Sequence, residues 1–127
     1  MLKVGQIVNI KSAPFFGASY FDTRRIGTVG IINRIIQLPD GNVVYTLLSI
    51  TSECEWLEYE LEPTDDYFYD KQNRYEVGDK VEVGAMHLVD TIRRIYYRGG
   101  TILYDLDQHY EVGERSLAPL DENYTLF

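Results

Sequence analysis

Apolar and polar positions alternate along this chain in short runs, and the runs are separated by glycine-containing turns. Lys80-Val81-Glu82-Val83 alternates with period two. Ile102, Tyr104 and Leu106 alternate with Leu103, Asp105 and Asp107. That spacing places successive side chains on opposite faces of an extended strand. Asp40-Gly41 and Gly99-Gly100 fall between apolar runs, where a tight hairpin needs backbone with positive φ. No window carries a helical stripe capped at both ends. The charge content of Glu53 to Glu62 would suit a short helix; its counterpart later in the chain argues for a strand or a single turn before Pro63. The prediction is an all-β chain of short strands.

The runs repeat. Val4 to Ile10 (VGQIVNI) matches Val77 to Val83 (VGDKVEV), and Ile32-Asn33-Arg34-Ile35 matches Ile92-Arg93-Arg94-Ile95. Gly41 to Leu47 matches Gly100 to Leu106, and Glu58 to Asp66 matches Glu114 to Glu122. Four blocks in one order, offset by 73, 60, 59 and 56 residues, mark an internal duplication whose copies differ in loop length. The copies run over 3–66 and 76–122, giving units 1–66 and 76–127 with a connector at 67–75. Copy one is 13 residues longer between its first two blocks. The connector holds Tyr67, Phe68, Tyr69 and Tyr75 and is not the Gly/Ser-rich composition of a free linker. It is expected to pack against one copy or both. Units of 50–60 residues bury little core alone, so two clamped together are more stable than either.

The order Val-Gly-Asp-x-Val-x-Val, Ile-x-x-Ile, Gly-Gly-x-x-x-Tyr-Asp-x-Asp and Leu-x-Pro-Leu resembles the Tudor-type SH3-like barrel, most closely over 76–122. The resemblance implies two small SH3-like barrels in tandem, packed through the aromatic connector. It also implies a place for an aromatic cage around a modified, cationic residue: Tyr104 and Tyr110 with Asp105 or Asp107, and Tyr45 as the copy-one counterpart of Tyr104. The loop after Val83 (Gly84-Ala85-Met86-His87) has no aromatic wall, and Thr46 stands where copy two has Asp105. The competing account is that Tyr45 and Tyr104 point inward.

The inserted loop Phe15-Phe16-Gly17-Ala18-Ser19-Tyr20-Phe21 is the sharpest candidate contact surface, with Arg24 and Arg25 beside it. Aromatics spaced by Gly and Ser are typical of adaptable binding loops, although the same rings can fold back onto the core. Glu53, Glu55, Glu58, Glu60 and Glu62 form either a solvated strand edge or a face for a basic partner. Arg34, Arg93, Arg94 and Arg98 are expected to pair with acidic strands rather than phosphate. Asp105, Asp107 and His109 share one face if extended, a spacing a metal can use, although strand ends are commonly polar; no metal or cofactor is assigned. Cys54 with His87 or His109 lacks any orienting group, so no enzymatic role is expected.

Composition narrows the partner. The net charge is -8 with a pI near 4.6, which disfavours direct binding to nucleic acid. No run is long and apolar enough to span a membrane, and no signal segment opens the chain. One cysteine excludes an internal disulfide and fits a reducing compartment. The sequence therefore reads as a cytoplasmic, non-enzymatic module that binds another protein through the 14–25 loop, the seam between copies, or both. An acidic decoy for a nucleic-acid-binding protein and a binder of small ligands or modified residues are the alternatives.

Overall fold

A computed structural model describes residues 2–12, 26–48, 55–84 and 88–120. Ten strands follow one another: β1 Gln6–Ile10, β2 Val29–Gln37, β3 Val43–Leu47, β4 Trp56–Leu57, β5 Leu61–Tyr67, β6 Lys80–Val83, β7 Leu88–Arg98, β8 Thr101–Leu106, β9 Val112–Gly113 and β10 Leu117–Pro119. Single 3-10 turns at Glu58–Glu60 and Glu114–Ser116 precede β5 and β10. Among the described residues there is no α-helix, and none long and apolar enough to cross a membrane. The short helix considered for Glu53–Glu62 is, within the described part, a strand pair, one 3-10 turn and the start of β5.

All pairing is antiparallel. The main path runs β10-β6-β7-β2-β1-β5, with β3 and β4 branching from β2, and β8 and β9 branching from β7. The sheet is open. β4 and β5 follow one another through a 3-10 turn without pairing, and β9 and β10 do the same.

The duplication seen in the sequence recurs in the hydrogen bonding. β1 pairs with β2 and β5 as β6 pairs with β7 and β10; β3 joins β2 to β4 as β8 joins β7 to β9. Even the irregularities match. The β2–β3 register shifts between Ile32 and Arg34, and the β7–β8 register shifts between Ile92 and Arg94. At the start of each repeat a glycine at positive φ (Gly5 at 86°, Gly78 at 90°) donates its N–H to the Ile32 or Ile92 carbonyl at 2.7 Å. Glycine suits that left-handed backbone because a Cβ is strained there.

The repeats meet along β2 and β7, where Arg34 opposes Tyr96, Ile35 opposes Ile95 and Ile36 opposes Arg94. Ile35 therefore faces its own counterpart, the self-complementary pairing that a local two-fold axis produces. The buried face of each strand follows the alternation: Ile102, Tyr104 and Leu106 are inside. One apolar cluster takes Val8, Ile32, Ile35, Tyr45, Leu47 and Leu61 from the first repeat. The second supplies Val81, Ile92, Ile95, Tyr104, Leu106 and Leu117 at the equivalent positions. The predicted turn between β7 and β8 is a two-residue hairpin, with Arg98 opposite Thr101 and both Gly99 (61°) and Gly100 (84°) at positive φ. That is the primed geometry whose twist matches the flanking strands.

Candidate binding surfaces

The connector stitches the repeats together. Asn73 is buried; its Oδ1 accepts the Val4 N–H at 2.8 Å and its Nδ2 donates to the Tyr75 carbonyl at 2.8 Å. Tyr69 stacks on Tyr97 of β7, ring centroids 3.7 Å apart and planes 13° from parallel. It also lies against Gly5 so closely that a Cβ there would sit 2.4 Å from the ring. Tyr75 is buried edge-on to Tyr104 at 5.8 Å and donates its hydroxyl to the Leu117 carbonyl. Tyr67 and Phe68 are exposed. Tyr69, Asn73 and Tyr75 are thus packed against the strands, and Tyr67 is itself the last residue of β5. Asn73 was missed because its role depends on a partner 69 residues away.

Tyr45 and Tyr104 are equivalent and both point inward. Tyr45 donates to Glu58 at 3.2 Å, Tyr104 to Glu114 at 2.7 Å. Burial first, then the neighbouring carboxylate, holds both phenols far above their usual pKa. The structure therefore does not bring the four candidate cage residues together. Tyr104 is fully buried, while Tyr110 is 70% exposed. Tyr104 and Asp105 are adjacent on one strand and so face opposite sides of the sheet. Asp105 accepts from the Tyr96 hydroxyl (3.1 Å) and the Glu111 N–H (2.9 Å); Asp107 is held by Arg93 at 2.7 Å. Asp105, Asp107 and Tyr110 do line a shallow cleft of about 260 Å³ with Ile36, Gln37 and Arg94.

The extended face imagined for Asp105, Asp107 and His109 ends at Leu106, where β8 stops. His109 turns instead to Asp90, Nδ1 to Oδ2 at 2.8 Å. Asp90 also accepts the N–H groups of Thr91 (2.8 Å) and Gln108 (2.9 Å). Burial pushes its pKa up, but the bonds from His109, Gln108 and Thr91 outweigh it and hold the carboxyl below its usual value. Among the described residues no group of three or more His, Cys, Asp or Glu is placed to hold a metal ion.

Of the arginines expected to pair with acidic strands, Arg93 and Arg98 do so. Arg93 forks onto Asp107 and reaches Gln37 across the seam, and Arg98 meets Glu111 at 2.7 Å. Arg34 and Arg98 also lie 6.0 and 5.7 Å from the Tyr96 ring centroid. Of the glutamate cluster, Glu58 and Glu62 are exposed, whereas Glu60 is buried and caps the Leu57 N–H at 2.6 Å. Phe15, Phe16, Tyr20, Phe21, Arg24, Arg25, Cys54 and His87 lie outside the described residues.

Two surface features escaped the sequence reading. A groove of about 680 Å³ runs between the connector (Tyr69, Asp70, Lys71), the β7–β8 hairpin (Tyr97, Gly100, Thr101, Ile102) and Gly113-Glu114-Arg115. Gly113 stands where the first repeat has Leu57, and a Cβ there would meet open space. The other feature is the placing of exposed apolar side chains. Among the described residues, Ile26, Val29, Leu48, Tyr59, Tyr67 and Phe68 of the first repeat and connector are 42% to 65% exposed, and Leu88, Val89 and Tyr110 of the second repeat are also exposed. The chain matches no known protein family, no curated protein and no solved structure.

Proposed function

We propose that this chain is a non-enzymatic protein-binding module, two SH3-like barrels of Tudor type in tandem, acting as an adaptor or regulatory subunit in the cytoplasm. The observation that carries this reading is the concentration of exposed large apolar side chains in residues 26–68. Large apolar side chains left exposed on a folded chain are the raw material of an interaction surface. Ile26 and Val29 follow the 14–25 segment in sequence, and its Phe15, Phe16, Tyr20 and Phe21, with Arg24 and Arg25, are the residues the reading assigns to contact with the partner. The repeated pairing scheme and the 3-10 turn before each last strand support the tandem-barrel description.

The experiment is photo-crosslinking of the full chain in extract of its native cell, with the crosslinker at Phe16 or Val29, followed by mass spectrometry. One protein captured from both positions, and not from a crosslinker at buried Ile35, is the expected result. Equal capture from all three positions, or none from any, refutes the reading.

The acidic-decoy alternative is favoured by one observation. Residues 53–70 hold eight carboxylates and no basic residue, and so account for the whole net charge of -8. A decoy would compete with nucleic acid for its target, and the competition would collapse with added salt. Capture that is indifferent to nucleic acid removes this alternative.

A further inference from the structure

We infer that strand β5 and the start of the connector, residues 58–70, form the docking surface for an extended arginine- and lysine-rich segment of the partner protein; this rests on the binding-module reading above. β5 is an end strand. Among the described residues it pairs with β1 alone, and no other described strand lies on its second edge. Tyr59 precedes it and Tyr67 and Phe68 close it, at 65%, 42% and 59% exposure. Glu58, Glu62, Asp65, Asp66 and Asp70 are exposed between and around these rings. Glu62, Asp65, Asp66 and Asp70 form no ion pair among the described residues.

Acidic side chains and proline on an end strand are a general defence against unwanted pairing. The second repeat supplies the internal control. β10 occupies the opposite end of the sheet path in the equivalent position and, among the described residues, pairs with β6 alone. It keeps the proline, Pro119 for Pro63, and Glu114 for Glu58. In sequence, Asp121 and Glu122 match Asp65 and Asp66. It has Arg115 for Tyr59, Ser116 for Glu60, Ala118 for Glu62 and Asn123 for Tyr67, and it keeps an aromatic, Tyr124, for Phe68. The equivalent strand of the second repeat therefore carries its proline with fewer carboxylates. The first repeat carries more negative charge than that, and exposed rings that protection does not call for.

The chemistry of the surplus selects the occupant. Pro63 has no N–H, so strand addition would lose a donor in the middle of β5. The surface offers carboxylate acceptors and aromatic faces, which complement cationic side chains: arginine and lysine pair with carboxylates and lie over aromatic rings. Seven residues of strand span about 23 Å, the reach of an extended segment of about seven residues. No basic residue lies between 53 and 70 to compete with it.

The test uses the full chain and a fluorescent decapeptide of alternating arginine and serine, read by anisotropy at low and high salt, with a glutamate–serine decapeptide as control. The arginine peptide should bind, the acidic one should not, and affinity should fall as salt rises. The Tyr59→Ala/Phe68→Ala double variant should weaken binding about tenfold with an unchanged melting temperature. Asp65→Asn/Asp66→Asn should weaken binding and flatten its salt dependence, and it keeps the test decisive if the ring variant unfolds. No binding of the arginine peptide overturns the inference. So does binding that ignores the loss of both rings, which would reduce the surface to diffuse attraction. A partner crosslinked from Phe16 or Val29 together with a failed arginine peptide would sink this inference alone. A bound, ring-dependent peptide with no crosslinked partner would uphold the surface and sink the module reading.

Discussion

Replacing Asn73 by alanine should destabilise the whole chain, although the residue sits in a connector. Val4 is fully buried and its N–H has Asn73 Oδ1 as acceptor; the Tyr75 carbonyl receives Asn73 Nδ2. The amide orientation follows from these partners, since one must donate and the other must accept. Alanine leaves a buried donor and a buried acceptor without partners, each at about 1–3 kcal/mol. Some relaxation and water entry bring the expected loss to about 2–4 kcal/mol. Urea unfolding followed by two probes measures it. Trp56, the sole tryptophan and fully buried in the first repeat, reports that half by fluorescence, and far-ultraviolet circular dichroism reports both. The two midpoints should coincide and shift together, because Asn73 ties the first repeat to the entry of the second. Asn73→Asp tests the logic further. At neutral pH it keeps the acceptor, loses the donor and buries a charge, so it should be at least as damaging as alanine. In acid the protonated carboxyl regains an O–H donor and the gap should narrow. A loss below about 0.5 kcal/mol for alanine, the range of unremarkable surface changes, would refute the reasoning.

Gly100→Val should cost about 1–3 kcal/mol in chemical denaturation, because Gly100 sits at φ 84°; Gly113→Val, which meets nothing within 4 Å at ordinary φ, should cost less. Tyr104→Phe should destabilise by about 1–2 kcal/mol and more than Tyr45→Phe. The Tyr104 oxygen bonds Glu114 at 2.7 Å and receives the N–H of Arg74 at 3.2 Å, whereas Tyr45 has Glu58 at 3.2 Å; equal losses by thermal melting would contradict this. The lowered pKa of Asp90 makes its ionised form a stabilising one. Its contribution is present above the unfolded-state value near 3.8 and is lost as pH falls through the lower folded value. Asp90→Asn should therefore differ from the parent at pH 7, with the difference shrinking as pH falls below the unfolded-state value near 3.8; a gap independent of pH would count against the stabilising role of the ionised carboxylate.

Much of this architecture was legible because the repeat fixes it twice. A glycine, a valine or a tyrosine recurring at matched spacing is read once as a turn or core position and again as its own check. The same alternation that put Ile102, Tyr104 and Leu106 on one face also excluded Tyr104 from a surface cage with Asp105, a consequence the resemblance obscured. The seam was foreseen as a place but not as a β2–β7 ladder, because strand partners across repeats leave no local signature. The pairing of His109 with Asp90 depends on a bend after Leu106 that the strand pattern alone does not announce. The groove beside Gly113 arises from one missing side chain relative to Leu57. It becomes visible only when the connector is seen folded over it.

The ladder between the repeats is only three residue pairs long. One apolar cluster drawn from both repeats backs it. Covalent tethering by the connector makes the encounter intramolecular, so the pairing persists at any concentration. It also releases the twins from identity. In a dimer of identical chains a change on one side is imposed on the other, whereas here Leu57 and its counterpart Gly113 differ within one chain.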